Sequence, residues 1–146
     1  MTLHDTDIFE KLNVALDNPD NSSIQGLTSR TIKTQINDVL QNIGFDRDTL
    51  KSYHAKLKSY RFVEDLNGLK YGAYVRWIDL LREPITLTNG GIVCGIDVTA
   101  NGIALTCKNY RGAFFRCNFT ECVVFQKLTD QEAVIVAALD LIESNS

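Results

Sequence analysis

No stretch of this sequence is apolar for long enough to cross a bilayer as a helix, which excludes an integral helical membrane protein. The opening, MTLHDTDIFEKLNVALD, lacks the basic start and the apolar run of a secretory leader, so a reducing setting is the expectation: cytosol, nucleus or the inside of a particle. Histidine is nearly missing. His4 lies at the start and His54 in a basic stretch, and neither falls into a Cys-His or Ser-His-Asp arrangement. Glycine-rich phosphate loops, GxGxxG, HExxH and paired CxxC are absent as well. The sequence therefore points to no catalytic residue, no cofactor site and no metal site, and the chain is read as non-enzymatic. An excess of positive charge is also lacking: the net charge of −3 argues against a protein that coats nucleic acid indiscriminately.

What is present is 146 residues, 45% hydrophobic and 23% charged, enough for one domain with a proper core and an appended element. The charge is uneven. Residues 1–46 carry three basic and seven acidic groups, residues 47–82 eight and four, and residues 83–146 four and seven. The middle stretch is thus the candidate anionic-partner surface.

The first part of the chain reads as helical. Ile8, Leu12, Ala15 and Leu16 recur at helical spacing, and residues 18–23 (Asn-Pro-Asp-Asn-Ser-Ser) break the pattern as a linker or turn. Ile32, Ile36, Val39, Leu40 and Ile43 form the stripe of a second helix over about 31–43, closed by Gly44. A third starts at Asp46 or Asp48 as cap and runs to about Tyr60, with Leu50, Tyr53, Leu57 and Tyr60 on one face. From Leu69 the period becomes alternating, and five short strands are predicted over 74–80, 91–98, 102–108, 113–119 and 122–127. Thr99-Ala100-Asn101-Gly102 and Asn109-Tyr110-Arg111-Gly112 are hairpin turns, and 81–90 is a longer loop ending in Asn89-Gly90-Gly91. Thr129-Asp130-Gln131-Glu132 is a capping box opening a last helix, with Val136, Leu139 and Ile142, and Ala133 or Ile135, turned inward. The expected fold is α+β: helices over 1–59, then over 60–146 a five-stranded antiparallel SH3-like barrel with a C-terminal helix.

Alternation places the cysteines. Cys94 shares a face with Ile92, Ile96 and Val98, Cys107 with Ile103 and Leu105, and Cys117 with Phe115 and Phe119. A four-residue turn would set Cys94 opposite Cys107. The spacings of 13, 10 and 5, with no histidine nearby, are unlike zinc ligands, so core thiols are expected ahead of an oxidisable pair or a metal. The basic and aromatic residues of the middle stretch give a possible partner or nucleic-acid surface: Lys51, Lys56, Lys58, Arg61, Lys70 and Arg76.

Four phrases carry a resemblance: Tyr60-Arg61-Phe62-Val63, Tyr74-Val75-Arg76-Trp77, residues 87–94 (Leu-Thr-Asn-Gly-Gly-Ile-Val-Cys) and residues 125–132 (Phe-Gln-Lys-Leu-Thr-Asp-Gln-Glu). Over about 60–143 the chain resembles a family of small proteins encoded by giant nucleocytoplasmic large DNA viruses of algae and amoebae. The resemblance implies a viral protein made in the host cytoplasm and packaged in the virion, and it brings no catalytic residues to carry over. The functional expectation is a structural or adaptor protein, such as a minor capsid protein, binding protein partners among the other capsid proteins and able to form oligomers. The alternative is a nucleic-acid-binding accessory factor using residues 47–82.

Overall fold

The computed structural model describes residues 3–145, with side chains from Phe9 onward, so the side chains of His4 and Ile8 lie outside the described residues. Among these residues there are four α-helices, α1 (Leu3–Asp17), α2 (Ser29–Ile43), α3 (Arg47–Lys56) and α4 (Asp130–Ser144), and six strands. The strands are β1 (Tyr60–Val63), β2 (Tyr74–Asp79), β3 (Gly91–Thr99), β4 (Gly102–Lys108), β5 (Phe114–Asn118) and β6 (Cys122–Lys127). They form one antiparallel sheet in the order β1-β6-β2-β3-β4-β5.

The α+β layout holds, but the closed five-stranded barrel does not: the sheet has six strands and two free edges. It is nonetheless strongly coiled. Lying flat, β5 and β6 would stand four strand spacings apart, about 19 Å. A tight turn instead joins them, with the Glu121 N–H donating to the Asn118 carbonyl at 3.0 Å, which holds those two α-carbons within about 7 Å.

The extra strand, β1, begins at Tyr60, where the third helix is expected to end, and runs on through residues for which the sequence predicts no element; the helix itself ends at Lys56. Tyr60 continues the helical stripe, yet Tyr60 and Phe62 also alternate with Arg61 and Val63. Pairing with β6, Phe62 opposite Phe125, decides for the strand. Residues 18–23 are not a loose linker either. Pro19–Ile24 is a 3₁₀ helix capped by Asn18, with Asn21 and Ile24 buried.

The coiled sheet separates two cores. Inside it, Val63, Leu69, Val75, Trp77, Val93, Leu105, Cys107, Cys117 and Val124 pack together. On its outer side, Ile78 and Phe125 meet Ala15, Ile24, Ile32, Ile36, Leu40, Tyr53, Leu57, Ile135 and Val136. Strand β6 therefore faces apolar surroundings on both sides, which is why Val123, Val124 and Phe125 run without a polar break. The regions expected as 1–59 and 60–146 share this outer core.

The helix stripes need two corrections: Leu16 and Ile142 are exposed. Of the alternatives Ala133 and Ile135 on α4, Ala133 is exposed and Ile135 fills the inward position. Gly44 does close α2, at φ 97°. Among the described residues no helix is long and apolar enough to cross a membrane.

Candidate partner-binding groove

The six residues expected to form one surface are dispersed. Arg61 is 3% exposed and Glu132 is fully buried: Arg61 Nε donates to Glu132 Oε2 at 3.0 Å, and Arg61 Nη2 donates to the Gly68 carbonyl at 2.9 Å and Ser23 Oγ at 3.2 Å. Lys70 Nζ lies 3.4 Å from the same carboxylate and donates to Asn21 Oδ1. Arg61 and Lys70 are thus removed from the surface set and tie β1, the 3₁₀ helix and the start of α4 together. Arg76 is half-buried and donates from Nε to the Thr88 carbonyl at 2.9 Å. Lys51, Lys56 and Lys58 remain exposed on or just beyond α3, with Lys56 Nζ 5.8 Å from the centre of the Tyr53 ring. His54 Nε2 is hydrogen-bonded to Asn37 Oδ1 at 2.9 Å.

The cysteines divide differently from the alternation reading. A bulge between Val93 and Gly95 sets Val93, not Cys94, opposite Cys107, and Cys94 is exposed with its thiol donating to the Thr106 carbonyl. Cys107 and Cys117 are buried. Burial, with the neighbouring Cys94 adding to it, pushes the Cys107 thiol up to about 12. A hydrogen bond shared with Cys122, then burial, raises Cys117. Both therefore stay protonated at neutral pH, as core thiols do. Among the described residues no group of three or more His, Cys, Asp or Glu side chains is placed to hold a metal ion.

A different constellation emerges where the loop after β2 faces the β4–β5 hairpin. A groove of about 420 Å³ opens there, walled by Trp77, Tyr110 and Phe115 and by Arg82, Arg111 and Arg116, with Asp79 as its one acidic residue. One wall is set by the returning loop. Thr88 exchanges hydrogen bonds with Trp77, its N–H donating to the Trp77 carbonyl at 2.9 Å and its Oγ1 accepting the Trp77 N–H at 3.2 Å. Gly90, at φ 77°, lies so close to β2 that a Cβ there would stand 1.8 Å from the Val75 carbonyl oxygen.

The other wall is a rigid turn. Asn109 Oδ1 accepts from the Arg111 and Ala113 N–H groups at 3.0 and 2.9 Å, the Asx arrangement that lets asparagine hold a tight turn. It presents Tyr110, 77% exposed, with the Arg111 guanidinium 5.3 Å from the centre of the ring. Phe115, opposite Cys107, lies on the inner face at the mouth and is 48% exposed. None of the three arginines has an acidic partner among the described residues. Unpaired guanidiniums beside open rings suit carboxylates or phosphates carried on an apolar or stacking scaffold.

Segment charge hid this groove, because Arg111 and Arg116 come from a stretch with net negative charge. One sequence signal marks it: residues 98–120 contain no acidic residue while holding Lys108, Tyr110, Arg111, Phe114, Phe115 and Arg116. Comparison with protein-family models, curated proteins and solved structures finds no match to this chain.

Proposed function

We propose that this is a non-enzymatic structural or adaptor protein of a giant DNA virus, made in the host cytoplasm and carried in the virion as a minor capsid component, acting through protein–protein contacts. The observation that carries the protein-binding part is the groove: three guanidiniums with no acidic partner among the described residues, beside exposed Tyr110 and Phe115. Its walls are held by backbone and Asx hydrogen bonds, so the backbone adds little ordering cost to binding. The viral part is supported by the resemblance over 60–143. The test is co-purification of the tagged chain with viral particles from infected cells. The wild type is expected in the particle fraction and the Arg111→Glu/Arg116→Glu variant is not; equal recovery of both refutes the groove as the contact.

A second reading, single-stranded nucleic-acid binding, is favoured by the same rings and arginines. Fluorescence anisotropy of labelled DNA and RNA at two salt concentrations decides it, since phosphate contacts weaken as salt rises.

A further inference from the structure

We infer that the occupant of the groove is an extended acidic segment of a protein partner, which adds to β5 as a seventh strand; this rests on the protein-binding reading above. Strand β5 pairs with β4 alone and ends the sheet. Two bonds flanking the ladder fix which of its backbone groups are free: the Phe119 N–H donates to the Ile103 carbonyl at 2.7 Å and the Asn109 N–H to the Ala113 carbonyl at 2.9 Å. In an antiparallel pair, bonded and non-bonded positions alternate, so between these anchors Phe115 and Cys117 bond to β4. Phe114 and Arg116 then turn their N–H and C=O groups outward, away from the sheet. Both residues are exposed, Phe114 by 65%. An edge of this kind is a template for another strand: β5 holds no proline, its inward side chains Phe115 and Cys117 carry no charge, and Phe114, Phe115 and Arg116 are exposed.

The side chains state what that strand must carry. Successive residues of an added strand point to opposite faces. On the inner face they meet Phe115 at the groove mouth and call for apolar side chains. On the outer face they meet Arg116, which calls for a carboxylate, and Arg82 and Arg111 in the lining of the same groove add positive charge that favours an acidic segment. An acidic–apolar alternation satisfies both. A second copy of this chain fits poorly, because two β5 strands paired antiparallel about their centre set Arg116 against Arg116, and like charges directly opposite each other destabilise the pair.

The probe is a capped heptapeptide alternating glutamate with valine, added to the full-length ¹⁵N-labelled protein. Three twins accompany it: lysine replacing glutamate, and two N-methylated at alternate positions. The glutamate peptide is expected to shift the Phe114 and Arg116 amide signals and to protect those amides from hydrogen exchange. The lysine twin, one of the two N-methyl twins, and the Arg116→Glu protein should each lose about tenfold or more in affinity. A well-dispersed spectrum of Arg116→Glu confirms that it folds. Equal binding by both N-methyl twins and the parent overturns strand addition. So does protection of the same amides by an oligothymidylate instead of the peptide, or by raising the protein concentration alone. If no peptide binds at millimolar concentration while particle association still needs Arg111 and Arg116, strand addition fails and the adaptor reading stands. If particle association is also indifferent to them, both fall.

Discussion

At the scale of single residues, Glu132 carries more than its sequence context shows. Its Oε1 accepts the Thr129 N–H at 2.9 Å, completing the capping box that the Thr-Asp-Gln-Glu phrase announces. Its Oε2 neutralises Arg61, 71 positions earlier in the chain, in a site with no water-exposed side-chain surface on the glutamate. Removing one partner of a buried pair leaves the other charge uncompensated, which costs far more than losing a cap. Glu132→Ala should therefore lower the unfolding free energy by about 3–5 kcal/mol, against about 1 kcal/mol for Thr129→Ala, as measured by urea denaturation. A loss no larger than that of Thr129→Ala would mean that Arg61 finds water in the variant. Only the capping half of Glu132 was legible in advance, because a cap is written within four residues whereas the ion pair needs two distant segments brought together.

At the scale of elements, two aspartates fasten helix ends. Asp46 Oδ1 accepts the Thr49 N–H at 2.8 Å at the start of α3. Asp140, on α4, accepts from the Ser29 N–H at 2.7 Å and the Ser29 hydroxyl at 2.5 Å, tying α4 to the start of α2. The backbone N–H of Thr49 holds the Asp46 carboxyl below its ordinary value of 3.8, and the Ser29 hydroxyl does the same for Asp140. A carboxylate depressed by folding stabilises the protein above its unfolded-state value and loses that contribution as pH falls through the folded value. The midpoint of thermal unfolding should thus drop on acidification from pH 5 to below 3.8, and the drop should be smaller in Asp46→Asn/Asp140→Asn. An identical drop in the variant would assign the acid sensitivity to other carboxylates. Asp46 was readable as a cap from sequence, as was Gly44 before it. The partner of Asp140 was not, because Ser29 lies 111 residues away. The end of α3 was misread for a related reason: Tyr60 satisfies the helical and the alternating period at once, and local pattern offers no means of choosing.

At the scale of the whole molecule, the outer core joins what the sequence divides at residue 59. Phe125 and Ile78, both fully buried, are covered by α2 and α3 as well as by α4. Each such side chain contributes about 1.5–3 kcal/mol when shielded from water. The isolated fragment 60–146 should consequently show no cooperative thermal transition, whereas the full chain unfolds in one; circular dichroism of both checks this. A cooperative transition in the fragment would show that the inner core of Val75, Trp77, Val93, Leu105 and Val124 suffices by itself.

By itself the sequence determined the helices and most of their caps, the turns, five of the six strands and the presence of an apolar core. These depend on periodicity and on hydrogen bonds that reach no more than four residues along the chain. The tertiary structure alone decided that Tyr60–Val63 pairs with β6, that Arg61 and Lys70 enclose Glu132, and that Trp77, Arg82, Arg111 and Phe115 line one groove. Each of those outcomes follows from the strand order and the coiling of the sheet. Both are set by which distant apolar faces cover one another, a property of the folded chain that no local pattern contains.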